Sequence, residues 1–328
     1  MRPRPHRLLA LVACVSCLFA ACDGKQPTRQ PTRSVVAQPD ALTAILQTAQ
    51  SAVAEGDNAK AETVLREAVR TYPRDHDLRM ALGDLLTAVA KHDEAHRQYE
   101  EAIAIDSNDP VALFQSGMTA RLSGDDETGL DRLVAARNAD PTNAEYAMQA
   151  GLVQLEAGRV DDASVSLLQA AALDDARAVV WGSLAEIALR QGDPSVATDH
   201  ARRAHAIEPR VLAWTILLAR SLKRDGQPEQ ALALLDGLEG ERRYASAVLQ
   251  TAGECLGLLG RPAEAAVWHA EAADRFPGDE ELAYQTALWY ERAGDIANAL
   301  DHAGRAAGFG HQNAQRLAER LQGAEADP

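Results

Sequence analysis

A glycine recurs at every thirty-fourth residue over most of this chain. Seven of the eight positions in this register are glycine, and the remaining position is occupied by Ala90. The seven glycines are Gly56, Gly124, Gly158, Gly192, Gly226, Gly260 and Gly294. A fixed period of this length, kept without insertion, is typical of a chain in which one supersecondary unit is repeated end to end. Arrays of this kind usually present an extended binding surface rather than a reaction pocket.

The pattern inside one period predicts a pair of antiparallel helices. Apolar residues precede each glycine at helical spacing, as in Leu113, Phe114 and Met118. Glycine tolerates positive φ, so it is expected to end this first helix. In three units a proline two residues later suits the first turn of a second helix. These prolines are Pro194, Pro228 and Pro262.

Small residues keep the same period, and they predict close packing of the two helices. The residues five positions after the register are Ala61, Ala95, Gly129, Ala163, Ala197, Ala231, Ala265 and Ala299. Alanine also recurs twelve positions after the register, except that Leu238 stands there in the sixth unit. We expect Gly129 and Leu238 to alter packing detail and not the fold.

These residues resemble the tetratricopeptide repeat, a helix–turn–helix unit of the same length. The fifth unit carries the resemblance well, with Trp181, Leu184, Ala185, Gly192, Ala197, Ala204 and Pro209 at the family's positions. The resemblance covers residues 42–311 and implies an all-α fold, a right-handed superhelical solenoid of eight repeats. Residues 312–328 are predicted to hold a capping helix and tail, because Ala314, Leu317 and Leu321 share one face that an array needs to cover its last apolar edge.

The first forty residues predict export and a lipid anchor. Residues 1–21 have a basic start and a short apolar run, as in a secretory signal peptide. The run ends in a sequence that resembles the bacterial lipobox, which implies that Cys22 becomes the lipidated first residue of the mature chain. An ordinary cleaved signal with an incidental cysteine is the alternative. Residues 22–41 are polar and proline-rich, and we expect a disordered tether. The protein is then anchored to the inner or outer membrane, on its periplasmic face.

Charge and cysteine content exclude several classes of function. The chain has a net charge of −15, which becomes −18 when the three arginines of residues 1–21 are removed. Such acidity argues against binding of nucleic acid and of anionic lipid, so membrane attachment depends on the anchor. Cys255 is the one cysteine that follows Cys22, so no intramolecular disulfide is expected in the repeats.

One segment has the spacing of a metal site. His92 and His96 lie four residues apart with acids between them, as in zinc-protease helices. The repeat register already explains this segment, because Ala95 is its inner alanine, and no third ligand follows from the spacing. No nucleophile elbow, phosphate loop or dinucleotide motif is present. We therefore predict a protein with no catalytic residues, metal, cofactor or small-molecule substrate, and retain a zinc hydrolase only as a remote alternative.

The family resemblance implies that partners contact the inner, concave face formed by the first helices. Carried onto this sequence, its positions predict an apolar groove in units two to four. The groove comprises Met80, Phe114, Met118, Met148, Leu152 and Leu155. The same positions predict a basic patch made of Arg190, Arg220, Lys223 and Arg224. The alternatives are that the groove residues belong to the inter-repeat core and that the patch is a solvated face with ion pairs.

The leading interpretation is a membrane-tethered scaffold that binds a protein or peptide partner in the bacterial envelope. The architecture resembles that of repeat lipoproteins that assist assembly of a pilus, a secretin or another outer-membrane complex. The alternative is an accessory subunit that organises an exported enzyme or polysaccharide system. Self-association through the end units stays open.

Overall fold

The computed structural model describes residues 39–325, which form seventeen α-helices, one short 3-10 helix and, within this range, no strand. Eight of the helices are the first helices of the units. They are α1 (Pro39–Ala54), α3 (His76–Ala88), α5 (Pro110–Leu122), α7 (Ala144–Glu156), α9 (Ala178–Gln191), α11 (Leu212–Arg224), α13 (Ser246–Leu258) and α15 (Glu280–Ala293). Each packs on the second helix that follows it and on its neighbours in the array. The result is the predicted all-α solenoid of eight repeats.

The second helices alternate with the first. They are α2 (Asn58–Thr71), α4 (His92–Ile103), α6 (Asp126–Ala139), α8 (Val160–Leu173), α10 (Pro194–Ile207), α12 (Pro228–Asp236), α14 (Pro262–Arg275) and α16 (Ile296–Gly308). Proline occupies the first turn of α10, α12 and α14, as predicted. The first unit begins at Pro39, three residues before position 42. The signal peptide, Cys22 and most of the tether lie outside the described residues.

The register residue has the predicted left-handed conformation in every unit. The seven glycines have φ between 69° and 86°, and Ala90 has φ of 58° although it carries a Cβ. The residue that follows donates its N–H to the carbonyl oxygen five residues earlier, over 2.8–2.9 Å in all eight units. This hydrogen bond satisfies a carbonyl that the helix end would leave unpaired. Each turn therefore closes in the same way.

Small residues let the helices of a unit approach closely, as predicted. The inner alanines Ala61, Ala95 and Ala163 have no exposed surface. A methyl group on Gly83 would lie 2.6 Å from the ring of Tyr99, which is closer than van der Waals contact allows. Glycine there makes room for the largest fully buried side chain among the described residues.

The sixth unit departs from the pattern more than we expected. Helix α12 ends at Asp236 after nine residues, and a 3-10 helix, Gly240–Tyr244, replaces its last turns. Glycine disfavours helix, and Gly240 adopts a φ of 61°. Leu238 replaces the inner alanine and packs against the adjoining core. The fold of the unit is retained, as expected, although its second helix is shortened.

A last helix covers the end of the array. Helix α17 (Gln312–Glu325) buries Ala314, Leu317 and Leu321 against the eighth unit, so the predicted capping helix is confirmed. Within residues 39–325, no helix combines the length and the apolar character that crossing a bilayer requires.

Replacing Ala90 by glycine is expected to stabilise the protein. The left-handed conformation destabilises the folded state by about 1–2 kcal/mol for a residue with a Cβ, and glycine removes this cost. Glycine also gives the unfolded chain more conformational freedom, which offsets about 0.4–1 kcal/mol of the gain. The free energy of unfolding of A90G, measured by urea denaturation, should rise by about 0.5–1 kcal/mol. G124A is the reverse control and should destabilise the protein. A methyl group on Gly124 meets no atom within 4 Å, so the φ of 86° is the one feature that opposes this substitution. Destabilisation by A90G would contradict the cost assigned to this turn.

Candidate partner-binding surface

The predicted apolar groove of units two to four is largely filled by its own side chains. Met148 is 7% exposed and belongs to a core cluster with Trp181 and Leu184. The ring of Phe114 lies 4.8 Å from that of Tyr146, centroid to centroid. The remaining groove residues are half-buried and pack on core clusters; they are Met80, Met118, Leu152 and Leu155. Their part in binding a partner stays a prediction, with little free surface to support it.

The predicted basic patch is on the surface, and its four side chains differ in their partners. The ammonium group of Lys223 pairs with the carboxylate of Glu254 on α13, and one nitrogen of Arg190 lies 4.0 Å from Glu186. Arg224 is exposed and reaches only the carbonyl oxygen of Leu189, at 3.5 Å, among the described residues.

Arg220 completes the patch on α11. Its side chain is exposed and makes no ion pair within the described residues. Arg220 and Arg224 lie one helical turn apart, so they present two guanidinium groups on one side of α11. Both remain available to an anionic group of another molecule.

Three adjoining cavities run from this patch along units six to eight. The first, of about 370 Å³, lies between α11 and α13 and contains Arg220 and Arg224. The second, of about 760 Å³, shares Lys223 and Glu254 with it and extends to α15. The third, of about 820 Å³, lies between α13 and α15. It is lined by residues that include Leu249, Gln250, Glu254, His269, Phe276, Leu282, Trp289 and Arg292.

The binding surfaces predicted from the sequence did not extend to the seventh and eighth units. The inner-face positions of the seventh unit do point to this region, since Gln250 and Glu254 occupy the fifth and ninth places of α13. The position of Trp289 at this surface could not be predicted from the sequence. This residue belongs to the following unit, and the repeat pattern does not specify where a side chain packs across a unit boundary.

One histidine of the pair in the second unit, His96, takes part in the packing between repeats, whereas the buried Nδ1 of His92 has no hydrogen-bond partner among the described residues. His96 Nδ1 lies 3.1 Å from Ser116 Oγ, and Ser116 Oγ donates to Glu100 Oε1 at 2.6 Å. Arg132 donates to both oxygens of Glu100, at 2.7 and 2.6 Å. Burial alone would raise the pKa of Glu100, but the hydrogen bonds from Arg132 and Ser116 hold its pKa below the ordinary value.

This network resembles a serine–histidine–carboxylate arrangement in composition only. Ser116 has no exposed surface, so a substrate has no access to its hydroxyl. Across residues 39–325, no group of three or more histidine, cysteine or acidic side chains is placed to hold a metal ion. Cys255 is free and fully buried, and burial raises the pKa of its thiol to about 11.

Buried histidines make stability depend on pH. Burial lowers the pKa of His200, His205, His269 and His302. Their pKa in the unfolded chain is about 6.5, so the unfolded state binds more protons as the pH falls. The stability that these four neutral rings contribute is fully present above the pKa of the unfolded chain. It is lost as the pH falls through the lowered pKa values of the folded state.

The free energy of unfolding should therefore fall between about pH 7 and pH 5, before most carboxylates titrate. Urea denaturation at the two pH values measures this difference. In His200→Phe the difference should be smaller, because one of the four groups no longer titrates. A free energy of unfolding that stays constant or rises on acidification would contradict the burial of these rings.

Comparison with known proteins agrees with this architecture. The tetratricopeptide repeat family profile matches residues 46–110, which span most of the first two units. No curated protein matches the chain.

Solved structures share the fold at low sequence identity. A structure from the functional characterization of pilF of Pseudomonas aeruginosa is 19% identical, with a TM-score of 0.52, over 66% of this chain and 98% of that one. A chain from the structure of Naa15/Naa10 bound to HypK-THB is 16% identical, also with a TM-score of 0.52, over 85% of this chain and 44% of that one. The repeat-family profile thus matches one segment of the array, and the solved structures share the solenoid fold with most of the chain.

Proposed function

We propose that this protein is a membrane-tethered scaffold that binds a protein or peptide partner on the inner face of units six to eight. The observation that carries the proposal is the row of three cavities, the first of which is lined by Arg220 and Arg224. A concave surface of this length suits an extended segment of another chain more than a small molecule.

The charge of the surface indicates what kind of segment it binds. The chain carries a net charge of −15, yet Arg220 and Arg224 stand exposed without carboxylate partners among the described residues. Two guanidinium groups one turn apart favour a carboxylate-bearing segment, because each is able to donate paired hydrogen bonds. The proposal includes no catalytic role, since the serine–histidine–carboxylate network of Ser116 is inaccessible.

The tether and the location are part of the same proposal. Cys22 is proposed to carry lipid and so to anchor the repeats to a membrane. The scaffold then stands in the periplasm close to its membrane. There it assists assembly of an envelope complex, such as a pilus, a secretin or another outer-membrane assembly. The fold that the chain shares with the pilF structure is compatible with this role and identifies no partner.

Charge reversal in the patch should abolish capture of the partner. We expect R220E/R224E to lose a crosslinked envelope protein that the wild-type chain retains, because like charges then face the acidic segment. The measurement is chemical crosslinking in intact cells, followed by purification of the chain and mass spectrometry of the adduct. R202E/R210E is the matched control, since it makes the same change of charge at exposed residues of α10 and the turn after it. Equal capture by both variants would reject the patch as the binding surface.

Replacing the lipid attachment residue should abolish lipidation. C22S lacks the thiol to which the lipid is proposed to be attached, so it should incorporate no labelled palmitate. Wild-type protein should stay with the membranes and incorporate labelled palmitate. A C22S protein that incorporates palmitate as well as wild type does would contradict the proposed anchor.

A further inference from the structure

We propose that the cleft between α13 and α15 binds an aromatic side chain with a hydrogen-bond donor at its tip, as in tyrosine, within an acidic segment of the partner. This inference rests on the proposed function in one respect, namely that the ligand is a peptide segment. The cleft measures about 820 Å³, which is enough for one large side chain and its flanking residues.

The cleft exists because the seventh unit packs differently from the earlier ones. In units two to four the glycine seven residues before the register faces the unit's own second helix, as Gly117 faces Leu133. In the seventh unit Trp289 of α15 also lies at this position. A methyl group on Gly253 would be 2.9 Å from Trp289 and 3.0 Å from His269. The indole thus fits against α13 beside the histidine, with the cleft next to both.

His269 supplies a buried polar group in the lining of the cleft. Its side chain is 3% exposed, and its ring centroid lies 5.9 Å from that of Trp289. Its Nδ1 lies 2.9 Å from the carbonyl oxygen of Ala265, which accepts a hydrogen bond and cannot donate one. Nδ1 is therefore the donor, and Nε2 of the neutral ring is an acceptor. Burial lowers the pKa of His269 and keeps the ring neutral at neutral pH.

The walls of the cleft match a side chain that is apolar along its body and donates at its tip. Leu249, Leu282, Phe276 and Trp289 form its apolar part. The phenol of tyrosine presents a flat apolar ring and one O–H, so it satisfies both the walls and the acceptor of His269. Phenylalanine fits the walls and leaves the acceptor without a donor.

The mouth of the cleft selects the flanking residues. Arg292 is exposed, with its guanidinium 4.6 Å from the centre of the Trp289 ring, and it makes no ion pair in the part of the chain that the structure describes. Arg220 and Arg224 lie farther along the row of cavities. Three carboxylates also border the cleft, and each has a partner within the chain. Lys223 pairs with Glu254, His311 pairs with Glu281, and Asp279 accepts a hydrogen bond from the N–H of Leu282. The three arginines that remain unpaired are cationic, and they favour acidic flanks.

Three labelled peptides test the assignment. Each has the sequence Asp-Glu-Gly-Xaa-Gly-Glu-Asp, with tyrosine, phenylalanine or alanine as Xaa, and binding to the full chain is measured by fluorescence anisotropy. We expect the tyrosine peptide to bind about fivefold more tightly than the phenylalanine peptide, which corresponds to one neutral hydrogen bond. The alanine peptide should bind at least about tenfold more weakly than the phenylalanine peptide, because it fills none of the apolar part.

Variants of the protein assign the preference to His269. In H269F the preference for tyrosine over phenylalanine should vanish, while the phenylalanine peptide still binds, because the ring remains and only the acceptor is lost. H302F is the matched control, since His302 is similarly buried but lies outside the cleft, and it should keep the fivefold preference, about one neutral hydrogen bond. In R292E all three acidic peptides should bind more weakly than in wild type.

Several results would overturn the assignment. They are equal binding of the tyrosine and phenylalanine peptides to wild-type protein, a preference that survives in H269F, and no saturable binding below about 1 mM. Free p-cresol that binds as tightly as the tyrosine peptide would assign the cleft to small aromatic molecules instead. The comparison of peptides on wild-type protein needs no variant to fold. Capture of an envelope protein that depends on Arg220 and Arg224, without any preference for tyrosine, would reject this inference and leave the proposed function standing.

Discussion

Each helix pair is closed by one residue in the left-handed region, and the next residue donates its N–H to the carbonyl oxygen five residues earlier. This hydrogen bond ends the first helix and reverses the chain within a few residues, so the second helix begins beside the first. Small inner residues then let the two backbones meet, and the repeated geometry stacks eight pairs into one continuous body. Ala90 accepts an unfavourable conformation to keep this turn, which indicates how strongly the neighbouring packing requires it.

The regular part of this architecture could be predicted from the sequence. The helix ends, the prolines that begin second helices and the capping helix all follow from local chemistry that repeats every thirty-four residues. The shortened α12 did not follow, although Gly237, Leu238 and Gly240 were visible. Each of these residues is tolerated singly in a helix, and their combined effect depends on whether the next unit offers packing that replaces the lost turns. A pattern of single positions does not determine this balance between local helix preference and tertiary contact.

The candidate site was predictable in part, for the same reason. The exposure of Arg220 and Arg224 could be predicted, because the register gives the positions at which a first helix presents charged side chains. The burial of the predicted groove residues could not be predicted, since the register places Met148 on the inner side of α7 but does not say that Trp181 and Leu184 enclose it. The cleft of the seventh unit was missed because Trp289 and His269 meet across a unit boundary. The proposed binding surface therefore lies where the repetition fails, at the short α12 and at the displaced packing of α13.

The inner face of units six to eight is the surface that we expect to meet the partner in the cell. Site-specific photocrosslinking in the intact envelope tests this most directly, with the reactive side chain placed at Gln250 on the inner face or at Val165, which is 64% exposed on a second helix. We predict a discrete adduct from position 250 and none from position 165. An adduct from position 165 alone would place the partner on the opposite side of the solenoid and contradict the proposed binding face.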